Sequence, residues 1–87
     1  MINDIRNGLS ELLDYIKRSA PPHRFLPYIV RRIEDMINNL DSENMDYETL
    51  KSLALGLGMF ISDDFEFSES ETGLKILHII NLISRTK

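Results

Sequence analysis

Apolar residues return at every third or fourth position in four separate stretches of this chain, and that spacing is the mark of amphipathic helices. In residues 3–19, NDIRNGLSELLDYIKRS, the side chains of Ile5, Leu9, Leu12, Leu13 and Ile16 fall within a sector of roughly 100°. In 24–40 the stripe is Leu26, Ile29, Val30, Ile33, Met36, Ile37 and Leu40. In 46–62 it is Tyr47, Leu50, Leu53, Ala54, Leu57, Phe60 and Ile61, and in 70–85 it is Ile76, Leu77, Ile79, Ile80 and Ile83. Period-two alternation occurs only in DFEFS, 64–68, which is too short to found a sheet.

The breaks between the stretches are chemical. Pro21 and Pro22 lack backbone donors and restrict the residues before them, so the first helix must end there. Pro27 is tolerated only in a first turn, which places the second start between His23 and Leu26. DSENMD, 41–46, supplies a polar turn rich in capping side chains. Asn3 or Asp4 can cap the first helix, and Arg31 and Asp35 have the spacing of a helical ion pair. Gly8 weakens the first helix by about 1 kcal/mol relative to Ala, with no visible compensation. Four amphipathic helices with short connections predict an all-α fold: a four-helix bundle with up-down-up-down topology and antiparallel neighbours. At 87 residues it is one domain, 1–87, with a stability of about 5 kcal/mol.

Composition removes several functions. Without cysteine there is no disulfide, thiolate metal site or thiol nucleophile. A net charge of -4 argues against general binding to nucleic acid or to an anionic membrane. The N-terminus lacks the basic and apolar regions of a secretory leader, and no apolar run approaches the ~20 residues of a membrane span. These features predict a cytoplasmic protein that meets neither nucleic acid nor membrane.

The acidic stretch ISDDFEFSESETG, 61–73, invites a metal or epitope reading through Asp63, Asp64, Glu66, Glu69 and Glu71. A calcium loop fails in either register, because Glu69 or Phe65 stands where the loop needs Gly or an oxygen ligand. The spacing fits the entrance to the last helix better. An extended 64–68 would send Phe65 and Phe67 to one side, to close the end of the bundle. Ser68 with Glu71 has capping-box spacing, and Ser70 is a second cap candidate. Glu69 and Glu71 then lie near the positive end of the helix dipole. As an alternative these acids form a partner-facing epitope.

Charge is also uneven along the chain. Residues 15–33 carry Lys17, Arg18, Arg24, Arg31 and Arg32 and no acid, a candidate basic patch. Residues 34–48 carry Glu34, Asp35, Asp41, Glu43, Asp46 and Glu48 and no base. In an antiparallel bundle 17–24 and 41–48 lie at opposite ends, which sets up opposed charge patches or simply solvated faces.

No catalytic constellation emerges. Ala54 and Gly58 have helix-turn-helix spacing, but the recognition helix would then present Asp64, Glu66, Glu69 and Glu71 to phosphates. His23 and His78 have no metal-ligating neighbour at helical spacing, and both read as exposed. Nucleophile elbows, phosphate loops and dinucleotide fingerprints are missing, so neither enzymatic activity nor a cofactor or metal site is expected. The strongest lead is Leu55 and Met59, one turn apart on the side of the third helix that should be wet, with Ser52 and Gly56 beside them. Either this helix is buried on two sides, or the pair meets a partner, for instance in a homodimer. The expected function is a non-enzymatic protein-interaction or regulatory module acting through the third helix. The alternatives are an acidic, immunity-like inhibitor that masks a basic target, and a small-molecule binder with a pocket between helices.

Overall fold

The computed structural model describes residues 2–85. It consists of α1 (Ile2–Arg18), α2 (Leu26–Asp41), α3 (Tyr47–Ser62), α4 (Phe65–Glu69) and α5 (Glu71–Arg85). Each long helix packs on two others in the ring α1–α2–α3–α5–α1, and the short α4 rests on α3 and α5. Contacts across each seam set the directions. Arg6 meets Asp41, and Lys17 meets Glu34, so α2 runs against α1. The rings of Tyr28 and Phe60 meet at 4.5 Å, so α3 runs against α2. Near its start α1 touches Ile79 and near its end it bonds Glu71, so α5 runs against α1. The bundle is all-α and up-down-up-down, with one helical turn more than the four-helix expectation.

The core follows the periodic stripes. Leu9, Ile29, Ile33, Met36, Leu50, Leu57, Ile61, Ile76 and Ile83 are fully buried. At about 25 cal/mol per Å² of apolar area, these nine side chains are the main stabilising contribution. Asp46 caps α3, accepting from the Glu48 amide at 3.1 Å and the Thr49 hydroxyl at 2.7 Å. Pro27 sits in the first turn of α2, which begins at Leu26. Asn3 and Asp4 lie inside the first turn of α1, past its start at Ile2, so neither is its cap. Asp35 bonds Arg32 at 3.4 Å, three residues away, in place of the expected Arg31.

The segment 64–68 departs from the extended form that its alternation suggests. Asp64 accepts from the Phe67 amide at 2.9 Å and starts α4, a single turn. Helical spacing then separates the two rings. Phe67 is buried against His23 and Phe25, at centroid distances of 4.5 and 5.5 Å. Phe65 is 76 % exposed. The cap of α5 is Ser70, whose Oγ accepts from the Gly73 amide at 3.1 Å, whereas Ser68 donates back to Phe65 O. His23 is half-buried, not exposed: its Nδ1 accepts from the Phe25 amide at 3.1 Å and its ring completes the aromatic cluster.

One glycine is explained by a neighbour far away in sequence, and another has no neighbour at all. A Cβ at Gly8 would stand 2.7 Å from Ile79 Cδ1, so the close approach of α1 to α5 compensates for the weak helix former. Gly56 is the opposite case, with nothing within 4 Å of a Cβ built there. Gly56→Ala should therefore stabilise the single chain by about 0.5–1 kcal/mol, through helix propensity alone. A thermal melt at low protein concentration should show a midpoint higher by roughly 3–6 °C. A lower midpoint would mean that something already fills the space beside residue 56.

Candidate functional site

Leu55 and Met59 belong to α3 but not to its core stripe. Leu50, Ala54, Leu57 and Ile61 face inward, and at about 100° per residue Leu55 and Met59 point almost directly away from them. Leu55 is 64 % exposed and Met59 is 63 % exposed. In the isolated chain the pair is thus outside, and the doubly buried α3 is excluded. Ser52 and Gly56 are exposed beside them. Between this ridge and α5 runs a groove of about 330 Å³, lined by Gly58, Ser62, Leu77 and Ile80. Gly58 keeps the groove deep: a Cβ there would sit 3.5 Å from Ile80, in ordinary contact. Leu77 and Ile80 had been read from the sequence only as core. Their half-exposed flanks could not be found from periodicity, which does not say how far apart α3 and α5 stand.

A second groove, of about 730 Å³, lies between α1 and α5. Leu12, Leu74 and Ile79 give it an apolar wall, and Glu11, Glu71, Lys75 and His78 supply charge or hydrogen bonds. Tyr15 organises it: its hydroxyl donates to Glu71 Oε2 at 3.1 Å and lies 3.3 Å from Thr72 Oγ1, and Lys75 Nζ sits 5.0 Å over its ring. His78 is exposed at the rim.

Of the charged candidates only Glu71 and Asp63 reach either groove, one in each. Lys17 turns to Glu34 at 3.6 Å on the α1–α2 seam, and Arg32 lies over the Tyr28 ring at 5.1 Å on the α2–α3 seam. Arg24 covers Phe25 at 5.1 Å, while Arg18 and Arg31 are exposed. Asp64 is occupied as a helix cap, Glu71 is bonded by Tyr15, and Asp63, Glu66 and Glu69 are exposed. The contact of His23 with Phe67 brings the acidic 63–71 to the end that carries Lys17, Arg18 and Arg24. That end therefore holds both signs of charge, which weakens the simple picture of opposed patches. At the other end Arg6 grips Asp41 with two parallel hydrogen bonds of 2.7 and 3.0 Å. Those bonds, with the charge of Arg6, hold the Asp41 carboxyl below the usual range against desolvation. Both groups face water, so the pair adds little stability.

Among the described residues no three His, Asp or Glu side chains gather to hold a metal ion. No helix there is long and apolar enough to cross a membrane. No known protein family, curated protein or solved structure matches this chain.

Proposed function

We propose that this chain is a non-enzymatic, cytoplasmic protein-interaction module that docks through the outer face of α3. One observation carries the reading. Two large apolar side chains, each nearly two-thirds exposed and one turn apart, border an apolar groove, while the core stripe on the other side of α3 is buried or half-buried. Isolated exposed leucines are ordinary, but a ridge beside a matching trough resembles the centre of a docking surface. Methionine suits such a surface because its unbranched side chain adapts to a partner's shape. Charged residues stay at the margins, with Asp63 at one edge of the groove.

The combined change Leu55→Glu and Met59→Glu separates this reading from its competitors. Because both positions are wet, the double variant should keep its helical signal and lose less than about 1 kcal/mol of stability. Used as bait in host lysate beside the unaltered chain, it should lose the proteins that the latter retains. An identical set of captured proteins on both baits would remove α3 from consideration.

The α1–α5 groove supports a second reading, a binder of small molecules. Its volume lies within the range of ligand pockets, and Tyr15, Glu71 and Lys75 are already held in place at its wall. A fragment screen by NMR tests it. Hits that move the signals of Tyr15, Lys75 and His78 together would support it, and an empty screen would end it.

A further inference from the structure

From Ser52 to Ser62 the sequence of α3 reads SLALGLGMFIS, and its outward positions are nearly palindromic about Leu57. Ser52 mirrors Ser62, Leu55 mirrors Met59, and Gly56 mirrors Gly58. Leu57 itself is 1 % exposed and points into the core. Taking about 100° per residue, Leu55 and Met59 stand about 20° either side of the direction opposite Leu57. Ser52 and Ser62 stand about 40° either side, and Gly56 and Gly58 about 80°. Laid antiparallel on a second copy about the level of Leu57, this face therefore sets apolar opposite apolar and serine opposite serine, which makes it self-complementary in polarity as an isologous twofold contact requires. From this symmetry, and resting on the interaction reading above, we infer that the face docks a second copy of this chain, with the two α3 helices antiparallel about an axis at the level of Leu57.

The geometry of that contact follows from the twofold. Rotation reverses height along the helix and keeps each side chain on its own flank. Leu55 of the second copy leans to the Gly58 flank, so it arrives beside Met59 and over the groove lined by Gly58, Ser62, Leu77 and Ile80. Each copy thus offers a knob and the hole that receives it. Ser52 comes level with Ser62 of the second copy. Lys51 comes level with Asp63 of the second copy on the rim, so opposite charges meet at both ends of the contact.

Size sets the affinity class. A contact that takes about a tenth of the 5668 Å² surface of each copy, the usual share for a small protein, would bury roughly 1,100 Å² in total, just below the standard range of stable interfaces. The dimer should form in the micromolar range and depend on concentration.

Sedimentation equilibrium between about 1 and 500 µM tests the pairing. The mass should rise from 10.1 kDa towards twice that value. Leu55→Glu should raise the concentration at half-association by about 30-fold or more. Orientation is read separately with Ser52→Cys and Ser62→Cys, made in a chain that has no cysteine of its own. At a close axial spacing, 52 and 62 of opposite copies are about 6 Å apart at Cα, within disulfide reach. An equimolar mixture oxidised gently should yield mainly the 52–62 crosslink by peptide mapping. A mass that stays monomeric, an association indifferent to Leu55→Glu, or mainly 52–52 and 62–62 crosslinks would each overturn the twofold pairing. A monomer whose α3 face still captures a different protein would leave the interaction reading standing, and a monomer that captures nothing would end both.

Discussion

Gly73→Ala should destabilise the protein by about 3 kcal/mol or more, a large part of a total near 5. Helix propensity alone predicts the reverse, a gain of about 1 kcal/mol for Ala in the first turns of α5. Packing decides the sign. A Cβ at residue 73 would collide with Phe67 O and stand 2.9 Å from the Phe67 carbonyl carbon and 3.0 Å from Ser68 Cα. All three are backbone atoms of α4, which cannot swing aside as a side chain would. Gly73 is buried and its amide is tied to Ser70, so α5 cannot slide away without losing its cap. Urea denaturation followed by circular dichroism is the measurement. The variant should unfold at a much lower midpoint, and a midpoint equal to or above that of the unaltered chain would show that α4 does not lie against α5 as described. Set beside Gly56→Ala, the same substitution in two helices of one domain should give opposite signs.

Phe67→Ala should cost about 3–5 kcal/mol, while Phe65→Ala should change stability by less than about 0.5 kcal/mol. The two rings are two residues apart and chemically identical. Phe67 is 5 % exposed and fills the end of the bundle against His23 and Phe25, the latter continuing to Phe60 at 4.8 Å. Removing it leaves a cavity beside the rings of His23 and Phe25, because α4 is fixed by the Asp64 cap and cannot collapse inward. Phe65 is mostly in water and has little burial to lose. Parallel thermal melts of both variants decide the matter. Similar losses for both would restore the extended reading of 64–68, in which the rings work together.

The helices were legible in the sequence because their signal is local. The spacing of Leu9, Leu12 and Ile16, or of Ile29, Ile33 and Met36, registers an inward face without reference to anything beyond the helix itself. Pro21 and Pro22, Pro27 and the polar turn 41–46 marked ends for the same reason, since each acts on backbone groups a few residues away. The reading of 64–68 failed on a five-residue segment. There two phenylalanines at i and i+2 satisfy strand alternation, and Asp64, the cap that tips the balance to a helical turn, fits that same alternation as one more outward acid. Asp35 failed similarly: two arginines lay within reach, and the stacking of Arg32 on Tyr28 made it the partner.

Leu55 and Met59 were visible as an anomaly but not as a surface. A helix wheel shows that they oppose the core stripe of α3, and it is silent on whether another element covers them. The ring order α1–α2–α3–α5 leaves that side of α3 open and sets Leu77 and Ile80 beside it.

Local periodicity and backbone chemistry determined that this chain makes an antiparallel helical bundle and which residues form its interior. The tertiary arrangement alone decided why Gly73 must be glycine, why Gly8 suits the approach of Ile79, which phenylalanine is buried, and where grooves open between helices. The physical reason is range. Helix formation is settled by hydrogen bonds four residues apart, whereas contact and exposure depend on atoms that only the packed bundle brings together.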